Sequence, residues 1–142
     1  MGEFRFIDHT ADIAVRLSGK DMNDLFQAAH AAWKKIVIDD CHVETSEDMR
    51  ITLHADSPEE LLVSFLEELN YYLTVRRWIC GRLDDFRVME EGQKWHVQGR
   101  LIGEPIREGK HEIQVEIKAV TFHQLSIGRK GDELTTLLVF DI

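Results

Sequence analysis

Proline is scarce: Pro58 and Pro105 are the only two in 142 residues. The chain also lacks internal repeats, low-complexity stretches and Pro-, Gly- or Ser-rich runs. Nothing marks a linker, and the length fits a single domain, 1–142. Cysteine is as rare. Cys41 and Cys80 stand far apart and form neither a CxxC nor a zinc-type spacing. The default expectation is a reduced cytoplasmic protein with two inert thiols, and a single disulfide is the alternative. No apolar run approaches the roughly 20 residues that cross a bilayer. Met1-Gly2-Glu3-Phe4-Arg5 lacks the charged-then-apolar layout of a signal peptide. A membrane is therefore not an expected partner.

Positive charge is in short supply. Lys and Arg number 17 against 26 Asp and Glu, a net charge of −9. Binding a nucleic-acid backbone needs clustered cations. The local basic clusters Arg76-Arg77 and Arg129-Lys130 suit a helix end and a turn. Direct nucleic-acid binding is not expected. The phosphate loop GxxxxGK[ST], GxGxxG, HExxH, the nucleophile elbow and the EF-hand loop are all absent. Glu59-Glu60, Glu67-Glu68 and Glu90-Glu91 fit helix faces and a turn better than glycosidase chemistry.

What is present has the composition of a globular domain, 44% hydrophobic and 30% charged. Ile13, Val15 and Leu17 alternate with Ala14 and Arg16, which predicts a half-buried strand. Asp21 is a good helix cap, and Met22, Leu25, Phe26, Ala29, Trp33, Ile36 and Val37 then recur at helical spacing over roughly 22–37. Ile51, Leu53 and Ala55 predict a short strand. Ser57-Pro58-Glu59-Glu60 opens a second helix, expected to run to about Arg76 or Trp78. Phe86–Glu90 and Trp95–Ile102 read as a hairpin, and Gly103–Lys110 as a loop. Alternation at Ile113, Val115, Ile117 and Ala119, continuing to Ile127, predicts a further strand. A turn at Gly128–Asp132 leads into the last strand, Leu134–Phe140. The order predicts an α+β domain: a mixed or antiparallel sheet with two main helices packed on one face.

Three places could carry chemistry. Asp8-His9-Thr10-Ala11-Asp12 has a plain reading as a turn, since Asp and Thr side chains bond nearby amides. Its functional reading is a metal or phosphate site, with Asp12 as an oxygen ligand and His9 as a ligand or supporting donor. The last two residues, Asp141 and Ile142, follow an apolar run. They are either a solvated terminus or a ligand set, because a free α-carboxylate beside an Asp offers adjacent anionic oxygens to a hard cation. Lys118 and His123 lie on one expected strand at odd separation, so they should face opposite sides. A strand His is commonly structural. His54, His96 and His111 read as surface positions.

In combination these segments resemble the archease family. The resemblance rests on His9-Thr10-Ala11-Asp12 before an alternating strand, on Gly19-Lys20-Asp21 before a helix, and on Ser57-Pro58-Glu59-Glu60-Leu61-Leu62 with Phe65-Leu66-Glu67-Glu68-Leu69. It also rests on Ile117-Lys118-Ala119-Val120-Thr121-Phe122-His123 and the final Phe140-Asp141-Ile142. It covers essentially the whole chain from Phe6. Each motif alone is weak, and their order and spacing together are specific. The resemblance implies a small α+β fold and an accessory protein that is not itself an enzyme. Its partner would be an RtcB-type RNA-splicing ligase, which uses GTP and divalent metal and guanylylates its own histidine in tRNA splicing and RNA repair. RNA would be met only through that ligase. The family pattern implies a divalent metal ion (calcium, magnesium or manganese) held by Asp12, Asp141 and the main-chain oxygens of Ile142. His9, Lys118 and His123 are candidates to support those ligands or to meet a partner. Two alternatives are a chaperone-like modulator of a tRNA-modifying methyltransferase and a small metal-dependent hydrolase.

Overall fold

The structure is a computed structural model, and it describes residues 2–7, 12–122 and 125–142. Two helices form where the caps predict them. The Asp21 carboxylate accepts the Asp24 amide at 2.8 Å and starts α1, Met22–Ile38. The Ser57 hydroxyl accepts the Glu60 amide at 3.1 Å, and Pro58 opens α2, Pro58–Thr74. Helix α2 stops short of its expected end. Arg77 takes a left-handed conformation (φ 55°), which turns the chain so that Trp78 can begin a strand.

The expected α+β class holds, as two helices and antiparallel sheets. Among the described residues the strands are β1 (Glu3–Ile7), β2 (Asp12–Gly19), β3 (Glu47–Ala55), β4 (Trp78–Glu91), β5 (Lys94–Pro105), β6 (Ala119–Thr121), β7 (Gly128–Lys130) and β8 (Glu133–Asp141). One sheet runs β1-β2-β8-β6, with β7 also on β8, and the other runs β3-β5-β4. Among the described residues all strand pairings are antiparallel.

Several strands differ from expectation. Strand β1 has too short an alternation to stand out and owes its form to pairing with β2. The hairpin strands β4 and β5 are longer than expected, taking in Trp78 at one end and Pro105 at the other. Among the described residues of the predicted run 113–127 only Ala119–Thr121 is strand, because the residues before it find hydrogen-bond partners on the helices. The Gln114 amide donates to the Val37 carbonyl at 2.7 Å, and the Asn70 side chain donates to the Ile117 carbonyl at 2.9 Å.

One core joins both sheets and both helices. Leu25, Phe26, Ala29 and Trp33 of α1 and Leu61, Leu62, Phe65, Leu66 and Leu69 of α2 are almost fully buried. They pack with Val15 and Leu17 of β2, Leu138 and Phe140 of β8, and Val97 and Leu101 of β5. Phe26, Phe65 and Phe86 form an aromatic triangle with centroid separations of 5.2–6.4 Å. At about 25 cal/mol per Å² of apolar surface, side chains of this kind contribute roughly 1.5–3 kcal/mol each. Both cysteines are free thiols. Cys80 is buried, which pushes its thiol up to about 12 and leaves it protonated and inert.

Candidate functional site

The long β2–β8 ladder decides which residues of the two chain ends meet. Ile13 and Phe140, Val15 and Leu138, and Leu17 and Thr136 face one another across it on the core side. Because side chains alternate, Asp12, Ala14 and Arg16 of β2 lie on the outer face with Asp141, Val139 and Leu137 of β8. The register pairs Asp12 with Asp141 directly. Residues opposed in this way have Cβ atoms about 5 Å apart on the same face. On the other side of β8, Ala119 is the register partner of Asp141, and the Lys118 amide donates to the Asp141 carbonyl at 2.8 Å. Asp141 therefore lies in a strand with neighbours on both sides.

Both carboxylates are half-buried, and the adjacent Ile142 is 39% exposed. All donors of this set are oxygens and the side chains are anionic, the chemistry a hard cation prefers. Among the described residues no group of three or more His, Cys, Asp and Glu converges. Two side chains and main-chain oxygens would leave several coordination positions to water or to a partner. Lys118 joins the site through its backbone, and its side chain is exposed. His9 and His123 lie outside the described residues. Next to the carboxylate pair the register aligns Ile7, Ala14 and Val139 in one apolar row, in which Ile7 is exposed, Val139 half-buried and Ala14 buried.

Two other polar groups are buried, and the first of them departs from the sequence reading. His111 is buried, not a surface residue. Its Nδ1 accepts the Arg107 amide at 2.9 Å, so Nε2 donates to Glu104 at 3.1 Å. Glu104 is 1% exposed and also accepts the Glu44 amide at 2.6 Å and the Lys110 ammonium at 2.9 Å. Burial alone would raise its carboxyl, but the Glu44 amide, Lys110 and His111 together outweigh it and hold the group at about 2. The second is His30 in α1, buried with Nε2 donating to the Cys80 carbonyl at 3.0 Å. Burial lowers its pKa to about 4. Both groups fasten elements together and stand apart from the carboxylate pair. Sequence spacing gives no sign of them, since their partners lie on other elements.

Fold and site together define a small two-helix, two-sheet protein with an anionic oxygen pair where its terminal strands meet. The Archease protein family model matches residues 4–142, and the chain belongs to that family. An archease from Sulfurisphaera tokodaii is 30% identical over 142 residues and is covered end to end, as is this chain. One from Pyrococcus furiosus is 32% identical over 134 residues, 93% of this chain and 92% of that protein. Among solved structures, Methanobacterium thermoautotrophicum protein 1598 superposes with a TM-score of 0.83 at 29% identity, covering 98% of each chain. An archease from Thermotoga maritima, described as a possible chaperone, superposes at 0.64 and 28% identity over 96% of this chain and 94% of its own. Among the described residues, no helix is long and apolar enough to cross a membrane.

Proposed function

We propose that this chain is a non-enzymatic, cytoplasmic activator of an RtcB-type RNA-splicing ligase, which promotes the ligase's guanylylation and multiple turnover. The observation that carries the reading is the register pairing of Asp12 with Asp141. Asp12, Asp141 and the main-chain oxygens of Ile142 would hold a divalent cation, and calcium, magnesium and manganese all suit such donors. The incomplete donor set favours weak binding by the isolated protein and completion of the shell by water or by groups of the ligase.

The cation would supply positive charge at the end of the outer face, where phosphate or carboxylate groups of a partner can be met. The amide of Lys118 and the β2 and β6 ladders hold Asp141 in place, so the oxygens are positioned before a partner arrives. The exposed Ile7 and half-buried Val139 beside them suit a docking contact with a protein better than one with RNA. RNA would be reached only through the ligase.

The test is to mix the protein with the ligase, GTP and divalent metal and to follow guanylylation of the ligase histidine. Acceleration that Asp12→Ala and Asp141→Ala abolish supports the proposal. No acceleration, or equal acceleration by the variants, refutes it. The alternative, a chaperone-like modulator of a tRNA-modifying methyltransferase, draws on the exposed Phe6 and Phe122 (43% and 55%) and the description of the Thermotoga maritima relative.

A further inference from the structure

The outer face of the β3-β5-β4 sheet carries a second polar assembly, made by three strands in register. One row across the sheet is Arg50, Arg100 and Asp84. The next is Thr52, Gln98 and Arg87. These residues lie on the face opposite Ile51, Val97 and Leu101, which are in the core. Between the rows lies an open cavity of about 410 Å³, lined by Arg50, Thr52, Asp85, Arg87, Gln98 and Arg100. The register slips between Asp84 and Arg87, where Asp85 takes a positive φ of 50°. Such a bulge re-aims side chains and increases the local twist.

The three arginines are not equivalent. Arg100 is held by Asp48 and Asp85, at 3.1 Å each, and by Asp84 at 3.8 Å. Arg50 and Arg87 make no ion pair or side-chain hydrogen bond among the described residues. Arg50 stands directly opposite Arg100, and like charges opposed across a ladder are destabilising. A chain with a net charge of −9 leaves two guanidinium groups unbalanced at one cavity. Strand spacing puts Arg50 and Arg87 on a diagonal of roughly 12 Å at Cα, within reach of a common group over Gln98.

We propose that this face binds a discrete phosphate group, a pyrophosphate or a phosphate monoester. The Arg50 and Arg87 guanidinium groups would grip it, and the Thr52 hydroxyl and Gln98 amide would donate further hydrogen bonds. A guanidinium fork matches phosphate oxygens bidentately. Asp85 and Asp84 keep Arg100 engaged, so it shapes the cavity without supplying the free charge. The overall negative charge disfavours a long polyanion, which leaves a compact phosphate as the matching ligand. This site lies on the other sheet from Asp12 and Asp141 and does not rest on the reading of that pair.

The experiment is an amide-resolved NMR titration of the full chain at low salt, with inorganic pyrophosphate as the probe and single-stranded RNA of twelve nucleotides as the comparator. Saturable shifts at the Thr52, Gln98 and Gly99 amides are expected. Replacing both arginines (Arg50→Gln with Arg87→Gln) should weaken pyrophosphate binding at least about 10-fold, the loss of one charge-assisted contact or more. Asp141→Asn should leave it unchanged. Circular dichroism of the double variant checks that the fold is intact, as expected for two surface substitutions. The proposal is overturned if pyrophosphate shifts none of these amides, if the double variant binds as tightly as the parent, or if only RNA binds.

Discussion

Asp12 and Asp141 are direct register partners across the β2–β8 ladder, so two carboxylates share one face of the sheet at its end. Like charges so placed repel by about 0.2–1 kcal/mol, and a bound cation reverses the sign of the effect. Asp141→Asn is therefore expected to leave thermal stability without metal unchanged or slightly higher. Millimolar calcium should raise the melting temperature of the parent and not that of Asp141→Asn, because only a ligand of the native state stabilises it. Differential scanning calorimetry with and without calcium checks this. An equal calcium shift in both proteins would place the cation elsewhere.

His30 makes stability sensitive to pH above the usual carboxylate range. Burial lowers its folded pKa from 6.5 to about 4. A depressed folded pKa means that stability is complete above 6.5 and is lost as pH falls toward 4. The full slope for one proton is about 1.4 kcal/mol per pH unit. Urea midpoints should fall between pH 6.5 and 5 in the parent, and less so in His30→Gln. Parallel profiles would show that His30 does not carry the dependence.

Glu104 acts in a lower window. Its folded pKa is held at about 2 against an ordinary 4.5, so its contribution is complete above 4.5 and is lost as pH falls through 2. Glu104→Gln leaves Lys110 and His111 without their buried anion and should cost about 3 kcal/mol at pH 7. The parent and the variant should converge in stability near pH 2. Urea denaturation at pH 7, 4 and 2 measures both claims, and a constant gap across the three would contradict them.

Much of the fold could be read from local signals. Asp21 and Ser57 mark the starts of both helices, and the stripes from Leu25 to Val37 and from Leu61 to Leu73 mark their buried faces. The alternation of Ile13, Val15 and Leu17 gives the inward side of β2. What could not be read depends on partners distant in the chain. Strand β1 exists because β2 pairs with it. The residues around Gln114 and Asn70's partner Ile117 are held by helices and so leave the strand pattern. Helix α2 ends early because Arg77 adopts a conformation its side chain does not announce. At the candidate site, Asp12, Asp141 and Ile142 could be named from the chain, but their adjacency is a matter of register. His111 shows the same limit in reverse: a polar residue in a loop-like stretch is buried because Glu104 waits for it.

The measurement that bears most directly on the account is guanylylation of the ligase by the full chain and by two carboxylate variants. With GTP and divalent metal present, the parent should accelerate formation of the ligase–GMP adduct, while Asp12→Ala and Asp141→Ala, each folded by circular dichroism, should not. Variants as active as the parent would separate the Asp12–Asp141 pair from function and contradict the account.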